Sequence, residues 1–166
     1  MFIRICGALL AAAVMAMSAP ALAQSARYDL SALSPQVRLA VEQARAAQVT
    51  AIRAAVRNSS GDPDTIGFTG EGGDTYQGEG YVDGVVGHMR DGHGLIGWSD
   101  GEYYAGQFLA ADNGGAKHGF GVYAFADGRM YEGQWLKENY HGYGVEWSAD
   151  GGVVYAGRWR NGEQVP

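Results

Sequence analysis

Three segments of the chain repeat one spacing of glycine, aromatic and Asp-Gly residues, and this repeat restricts the fold more than any other feature of the sequence. The segments begin at Gly92, Gly119 and Gly142, and each opens with Gly-x-Gly. In all three, Asp-Gly lies six and seven residues after the second glycine, and Tyr-x-Gly-x-Phe/Trp follows. A degenerate fourth copy begins at Gly73 and is expected to continue into an expanded loop, Glu79–Asp91. The repeat therefore predicts one structural unit that is used several times along the chain.

Each copy has the pattern of a β-hairpin. Asp-Gly favours a two-residue type I′ turn. Tyr131, Gly133 and Trp135 alternate with Glu132 and Gln134, as in a strand with one buried face. Because a single hairpin cannot bury its aromatic face alone, we expect the hairpins to stack. The predicted fold is mainly β: an elongated antiparallel sheet of about seven or eight strands built from stacked β-hairpin repeats, preceded by one amphipathic α-helix.

The spacing that recurs in the three copies also predicts how the hairpins pack together. The Gly-x-Gly pairs are expected where an aromatic ring of the neighbouring hairpin crosses the backbone, because a side chain there would block that ring. The rings are expected to form a ladder that is mostly core and in part a binding surface: Tyr104, Phe108, Tyr131, Trp135, Tyr155 and Trp159. The repeat glycines are Gly92, Gly94, Gly106, Gly119, Gly121, Gly133, Gly142, Gly144 and Gly157.

These residues resemble the MORN-repeat family, whose pattern is Tyr-x-Gly-x-Trp/Phe, then Gly-x-Gly, then Asp-Gly. Tyr131-Glu-Gly133-Gln-Trp135 and His141-Gly142-Tyr-Gly144 match it most closely. The resemblance covers about residues 73–159. It implies a rod-like or trough-like hairpin solenoid that acts as a scaffold for protein contacts and often for dimerisation. A role at membrane phospholipids has also been proposed for the family.

The first 23 residues have the pattern of a bacterial signal peptide. Arg4 precedes the apolar run Ile5–Met17, which at 13 residues is shorter than the ~20 needed to span a bilayer. Ala21-Leu22-Ala23 is a cleavage signal, so we expect a mature chain from Gln24 that is exported to the periplasm or secreted; retention as an anchor is the alternative. Cleavage removes Cys6, the one cysteine of the chain, and with it any disulfide.

A basic helix is predicted before the repeats. Residues 24–60 carry five basic and two acidic residues, and residues 61–166 carry six basic and 16 acidic ones. Ser34-Pro35 favours a helix start, and apolar residues recur at helical spacing over Gln36–Arg57. The predicted division is a signal peptide (1–23), a helical segment (24–60), a linker (61–72) and a repeat domain (73–166).

Three roles are open for this helix. It could cover the sheet, pair with a second copy, or lie on an anionic membrane. Its arginines are the candidate contacts to an anionic surface: Arg38, Arg45, Arg53 and Arg57.

No arrangement of residues indicates catalysis, a cofactor or a metal ion. Gly92-His-Gly94-Leu-Ile-Gly97 fits G-x-G-x-x-G, but the repeat explains these glycines and no βαβ unit surrounds them. His118 and His141 are expected ~10 Å apart on the sheet, too far to share a metal, and are interpreted as residues that hydrogen-bond locally. An alternative metal site combines His88, Asp91 and His93. The aspartates that precede the turn glycines are interpreted as turn residues: Asp100, Asp127 and Asp150.

The sequence therefore predicts a non-catalytic binding scaffold in the cell envelope, which presents its repeat sheet for protein contacts or self-association. The alternatives are a membrane-phospholipid or cell-wall glycan binding module. No nucleic-acid partner is expected for a chain of net charge −6.

Overall fold

The protein is described by a computed structural model that covers residues 28–111 and 114–166. The predicted signal peptide lies outside these residues. The described chain begins with helix α1 (Pro35–Ser59) and continues into an antiparallel sheet whose strands follow one another in chain order. The strands are β1 (Thr65–Thr69), β2 (Thr75–Asp83), β3 (Gly87–Gly97), β4 (Tyr103–Leu109), β5 (Ala116–Ala124), β6 (Met130–Leu136), β7 (Asn139–Trp147), β8 (Val153–Arg160) and β9 (Glu163–Val165).

The described residues form nine strands in one sheet of consecutive hairpins, which confirms the predicted fold class. The strand number exceeds the expected seven or eight. One of the strands outside the glycine-rich copies is β1, which lies within residues 61–72, the segment predicted to be a linker. Ile66 and Phe68 lie two residues apart on β1, and both pack against the aromatic residues of the sheet. They give this segment the apolar face of a strand, which the Asp and Pro residues at its start do not indicate.

Helix α1 lies across one face of the sheet and packs against β1 to β7. Ser34 caps it, since the Ser34 hydroxyl accepts a hydrogen bond from the Val37 amide at 3.4 Å, and Pro35 occupies the first turn. Its stripe of alanine and valine meets small and branched residues of the sheet, among them Leu95, Val122 and Val145. Of the three roles open for the helix, the structure shows that it packs on the sheet and covers one face. Among the described residues no helix is long and apolar enough to cross a membrane.

The opposite face of the sheet carries a second core made of aromatic side chains. The rings come from successive strands and pack on one another, with aliphatic residues at the β1 end. The buried members of this aromatic face are Tyr76, Ile96, Tyr104, Phe108, Tyr131, Trp135 and Trp159.

The Asp-Gly loops are not the two-residue type I′ turns that the sequence predicted. In the β3–β4 loop the Gly101 amide bonds to the Trp98 carbonyl at 3.1 Å, and the Trp98 amide bonds to the Glu102 carbonyl at 2.9 Å. This is a three-residue loop in which Gly101 has a positive φ of 94° and Asp100 does not. The prediction failed because Asp-Gly suits both geometries: only the glycine has to adopt a left-handed conformation here.

Two-residue turns with two positive φ values occur at the other end of the hairpins. Lys137 and Glu138 join β6 to β7 with φ of 48° and 74°, and Asn161 and Gly162 join β8 to β9. The Lys-Glu pair gives no sequence signal for such a turn, because neither residue favours positive φ.

Candidate binding surfaces

Each hairpin is joined to the next by a tyrosine that lies over a glycine of the following strand. The Tyr104 ring covers Gly121, where a Cβ atom would lie 2.5 Å from Cε2 of the ring. The Tyr104 hydroxyl donates to the Gln107 carbonyl at 2.8 Å, which holds the ring in this position. Tyr76 covers Gly94 and Tyr131 covers Gly144 in the same way. The predicted crossing of ring and backbone is confirmed for the second glycine of each pair.

For the first glycine of each pair that prediction is wrong. Gly119 has φ of 65° and Gly142 has φ of 61°, and each stands in a bulge that places extra residues on the odd-numbered strand. The carboxamide of Gln107 fills the bulge at Gly119, and its Oε1 accepts a hydrogen bond from the Phe120 amide at 2.8 Å. A left-handed backbone conformation, rather than an aromatic ring, therefore requires glycine at this position.

Gln107 and its counterparts are structural residues that the sequence reasoning missed. Gln134 accepts from the Tyr143 amide at 2.6 Å, and Glu79 accepts from the His93 amide at 2.7 Å. The available signal was the recurrence of a side chain with a terminal oxygen directly after the glycine of Tyr-x-Gly.

The predicted aromatic ladder is mostly buried within the sheet's aromatic face. Tyr104 and Tyr131 have no exposed surface, and the Trp135 ring meets both edge-on at 5.1 and 5.3 Å between centroids. Burial raises the pKa of the Tyr131 hydroxyl above its ordinary value. Tyr155, on β8, stays half-exposed. Most of the ladder therefore forms a core, and Tyr155 is its one partly exposed member.

Residues 80–90 of β2 and β3 form a hairpin arm that extends beyond the strands on either side. Pairing with β1 ends at Glu79 and pairing with β4 begins at Gly92, whereas β2 and β3 stay paired from Gly80 to Arg90. The apolar side chains at its tip are exposed: Val85 by 95%, Val82 by 65%, Tyr81 by 48% and Val86 by 47%. The arm is thus an apolar patch on a protruding, hydrogen-bonded support.

Comparison with known protein families matches the MORN repeat at residues 84–103, 113–128, 131–153 and 155–165. The repeats of this chain are MORN repeats. MORN repeats are in general non-catalytic modules for binding or scaffolding. Comparison with curated proteins gives no match. The first MORN match begins inside the arm and does not include Tyr76 or Gly78. These two residues nevertheless have the same arrangement of tyrosine ring and glycine as the matched repeats.

Lys117 places a positive charge among the rings of the MORN sheet. Its ammonium nitrogen lies 5.1 Å from the centroid of Tyr123 and 5.3 Å from those of Trp98 and Trp135. Glu138 pairs with it at 3.0 Å. Beside this pair, Tyr123, Phe125, Trp135 and Tyr140 line an open groove of about 300 Å³. Ring faces and one carboxylate stabilise the Lys117 ammonium. The cation beside this groove is therefore a side chain of the protein.

Glu132 joins the helix to the sheet. It is fully buried and accepts two hydrogen bonds from the Arg45 guanidinium, at 2.8 and 2.9 Å, and one from the Trp147 indole at 2.9 Å. Burial raises the pKa of the Glu132 carboxyl, and the Arg45 and Trp147 hydrogen bonds oppose that rise. The sequence offered a signal, because the equivalent residue of the other two aligned copies is Ala105 or Ala156.

The four helix arginines predicted to contact an anionic surface have separate surroundings. Arg45 is bound by Glu132, and Arg57 pairs with Glu79 at 2.8 Å. The Arg38 guanidinium donates to the Ser31 carbonyl at 3.1 Å, and Arg53 is exposed. The structure therefore does not gather them into one free basic face.

The histidines do not assemble into a metal site. His88 stacks on Phe68, with 4.7 Å between ring centroids, whereas the Asp91 carboxylate accepts from the Ala110 amide. His93 contacts Glu79 at 3.3 Å. Within residues 28–111 and 114–166, no group of three histidine, cysteine or acidic side chains is arranged to hold a metal ion.

His118 and His141 lie at equivalent positions before the bulge glycines. Their Nδ1 atoms are buried, and neither has a hydrogen-bond partner among the described residues. The predicted local hydrogen bond of these two histidines is therefore not made through Nδ1.

The three turn aspartates are confirmed as turn residues. Each carboxylate accepts a hydrogen bond from the amide two residues later: Asp100 from Glu102, Asp127 from Arg129 and Asp150 from Gly152. Hydrogen bonds from Arg129 hold the pKa of Asp127 below its ordinary value.

Proposed function

We propose that this MORN-repeat protein is a non-catalytic binding scaffold exported to the cell envelope, where it presents its sheet for protein contacts. The observation that carries the proposal is the arm, residues 80–90, whose apolar tip is exposed while the rest of the large apolar residues are mostly buried in two cores. Exposed apolar patches on protruding elements mark sites of interaction.

The arm is ordered before it meets a partner. The Asp83 carboxylate accepts hydrogen bonds from the amides of Val85 and Val86, at 2.8 and 2.9 Å, and so fixes the loop that carries the two valines. A fixed loop loses little conformational entropy on binding, which favours a specific contact.

The contacts of the helix and of the ladder support a protein partner over the two alternatives. Binding of α1 to a lipid surface would need its apolar stripe, which is buried against β1 to β7. Binding of glycans through the ladder would need free ring faces, and Trp135 and Trp159 are each only 4% exposed. The apolar side chains at the tip of the arm are exposed, so neither burial against the sheet nor burial within the ladder prevents them from binding a partner.

Export is the part of the proposal that depends on the sequence of residues 1–23. Their charged start, short apolar run and Ala-x-Ala end are typical of a cleaved signal, and cleavage after Ala23 gives a mature chain from Gln24. Mass spectrometry of the envelope fraction identifies the mature amino terminus directly.

The contact itself is tested by site-specific crosslinking in the native envelope. A photo-reactive residue is placed at Val85, and the matched control places it at Glu71, which is exposed in the β1–β2 loop. We expect one adduct of defined mass from position 85, either with another protein or with a second copy, and none from position 71. No adduct at position 85, or the same adducts from both positions, would contradict the proposal.

A further inference from the structure

The aromatic groove beside Lys117 is a feature that the contact proposed for the arm does not use. Four rings line it: Tyr123, Phe125, Trp135 and Tyr140. Trp135 is only 4% exposed, whereas the other three rings are half-buried. The Tyr140 ring stands at 82° to the Trp135 ring, with 4.8 Å between centroids. Trp135 thus forms the floor of the groove, and Tyr140 forms a wall.

Most of the polar groups at this groove are already paired with other groups of the protein. The Trp135 indole donates to a backbone carbonyl of β5 at 3.2 Å. The Tyr123 hydroxyl donates to the Glu102 carboxylate, and the Lys117 ammonium pairs with Glu138 at 3.0 Å. A ligand rich in hydroxyl groups would have to displace these bonds, which costs free energy. The groove therefore favours a ligand that presents apolar rings.

The strands under the groove also restrict how a peptide could bind there. Strands β5, β6 and β7 are each paired on both sides. An extended segment cannot join them through backbone hydrogen bonds, so it must be held by the side chains of the groove.

We infer that the aromatic groove binds a proline-rich segment of another protein in the polyproline II conformation. Such segments dock in grooves lined by aromatic rings, and their conformation is largely formed before binding. Proline has no backbone N–H group, so its burial against a ring leaves no donor unpaired. The site shares no residue with the arm and does not depend on the contact proposed for it.

Charge adds a second requirement for the segment. Residues 61–166 carry six basic and 16 acidic residues. At the groove itself, 48% of the Glu138 side chain remains exposed although it pairs with Lys117. Basic residues beside the prolines would therefore be attracted to this surface.

A second copy of the chain is a poor source of the segment. Residues 1–166 contain four prolines, and no two of them are close in sequence. Pro35 is part of the first turn of α1, where it cannot be presented as an extended segment.

The test uses the unaltered full chain and a fluorescent peptide of eight prolines with an arginine at each end. The control peptide has alanines in place of the prolines, so the two peptides carry the same charge. Fluorescence anisotropy measures binding. We expect saturable binding of the proline peptide and at least about tenfold weaker binding of the alanine peptide.

The signals of the tryptophan indole N–H groups in the labelled protein locate the peptide. We expect the Trp135 signal to shift on binding and the Trp147 signal, on the helix face of the sheet, to stay unchanged. Phe125→Ala should weaken binding about tenfold, because it removes one apolar side of the groove. The matched control is Tyr81→Ala, which shortens an exposed ring of the arm and should leave binding unchanged.

Equal binding of the two peptides would show attraction by charge alone and would overturn the inference. An unshifted Trp135 signal, no binding of the proline peptide, or equal effects of Phe125→Ala and Tyr81→Ala would also overturn it. A chitin tetrasaccharide that shifts the Trp135 signal and displaces the peptide would assign the groove to a glycan instead.

Discussion

At the scale of single residues, Glu132 shows how one side chain ties the helix to the repeats. Its carboxylate is buried and bound on two sides, by Arg45 from α1 and by Trp147 from β7. A buried ion pair contributes little net stability when whole, but loss of one partner leaves the other uncompensated. Glu132 therefore fixes the position of α1 on the sheet more than it adds to the free energy of folding.

We predict that Glu132→Ala lowers the free energy of unfolding by about 3 kcal/mol, because Arg45 and the Trp147 indole lose their acceptor inside the protein. The control is Glu146→Ala, which removes a carboxylate from the more exposed Arg129 and should cost less than about 1 kcal/mol. Urea unfolding of both variants measures the difference. Equal effects would show that Glu132 has no special role in holding the helix.

The raised pKa of Glu132 sets the direction of a pH effect. A carboxyl with a folded pKa above its unfolded value contributes stability that is complete at low pH and is lost as pH rises through the folded pKa. The stability of the natural chain relative to Glu132→Gln should therefore fall as pH rises above the ordinary range of a carboxyl group. Urea unfolding at several pH values measures it, and a relative stability that rises with pH would reverse the assignment.

At the scale of elements, the two ends of each hairpin follow different turn chemistry. The Asp-Gly loops need one left-handed residue and have glycine there, but the β6–β7 turn has Lys137 and Glu138 at positive φ. A positive φ costs conformational free energy in non-glycine residues, and it costs less in asparagine than in lysine. Glu138 makes an ion pair with Lys117 from this turn.

We predict that Lys137→Asn raises the free energy of unfolding by about 0.5–1 kcal/mol, since asparagine favours the first position of a type I′ turn. Thermal and urea unfolding measure the gain. Arg160→Asn is the control, because Arg160 is the last residue of β8 and does not have a positive φ, so it should show no gain. A loss of stability in Lys137→Asn would mean that the lysine makes a contact that outweighs its backbone strain.

The elements differ in how far the sequence predicts them. The hairpins, their stacking and the crossing of an aromatic ring over a repeat glycine follow from the repeated spacing, but the spacing did not show that only the second glycine of each pair lies under the ring. The bulges, the filling of each bulge by Gln107 or its counterparts, and the partner of Glu132 depend on register between strands, which no local pattern specifies. Strand β1 was missed because only Ile66 and Phe68 identify it. The exposed arm was seen only as an expanded loop.

At the scale of the whole molecule, the sheet is a linear series in which each strand pairs with its sequence neighbours, and α1 connects seven of them. Stability in such a series is lowest where neighbours are missing. Within residues 28–111 and 114–166, strand β8 has no outer neighbour along residues 153–157, whereas β5 lies between two full strands and under the helix.

We predict that backbone amides of β5 and β6 exchange with solvent at least about tenfold more slowly than those of β8 and β9. Hydrogen exchange followed by mass spectrometry measures this for the full chain. Uniform protection across the sheet would show that it opens as a single unit rather than from the β8 end.

The length of α1 also limits how the molecule can grow. At about 1.5 Å per residue its 25 residues measure about 38 Å, and seven strands spaced about 4.8 Å apart measure about 29 Å. One hairpin inserted in the middle of the series would widen the covered span to about 38 Å, which the helix still reaches, but two would widen it to about 48 Å and uncover apolar surface. Hairpins added after β8 would leave the helix undisturbed, so repeated duplication can lengthen this protein only from the β8 end.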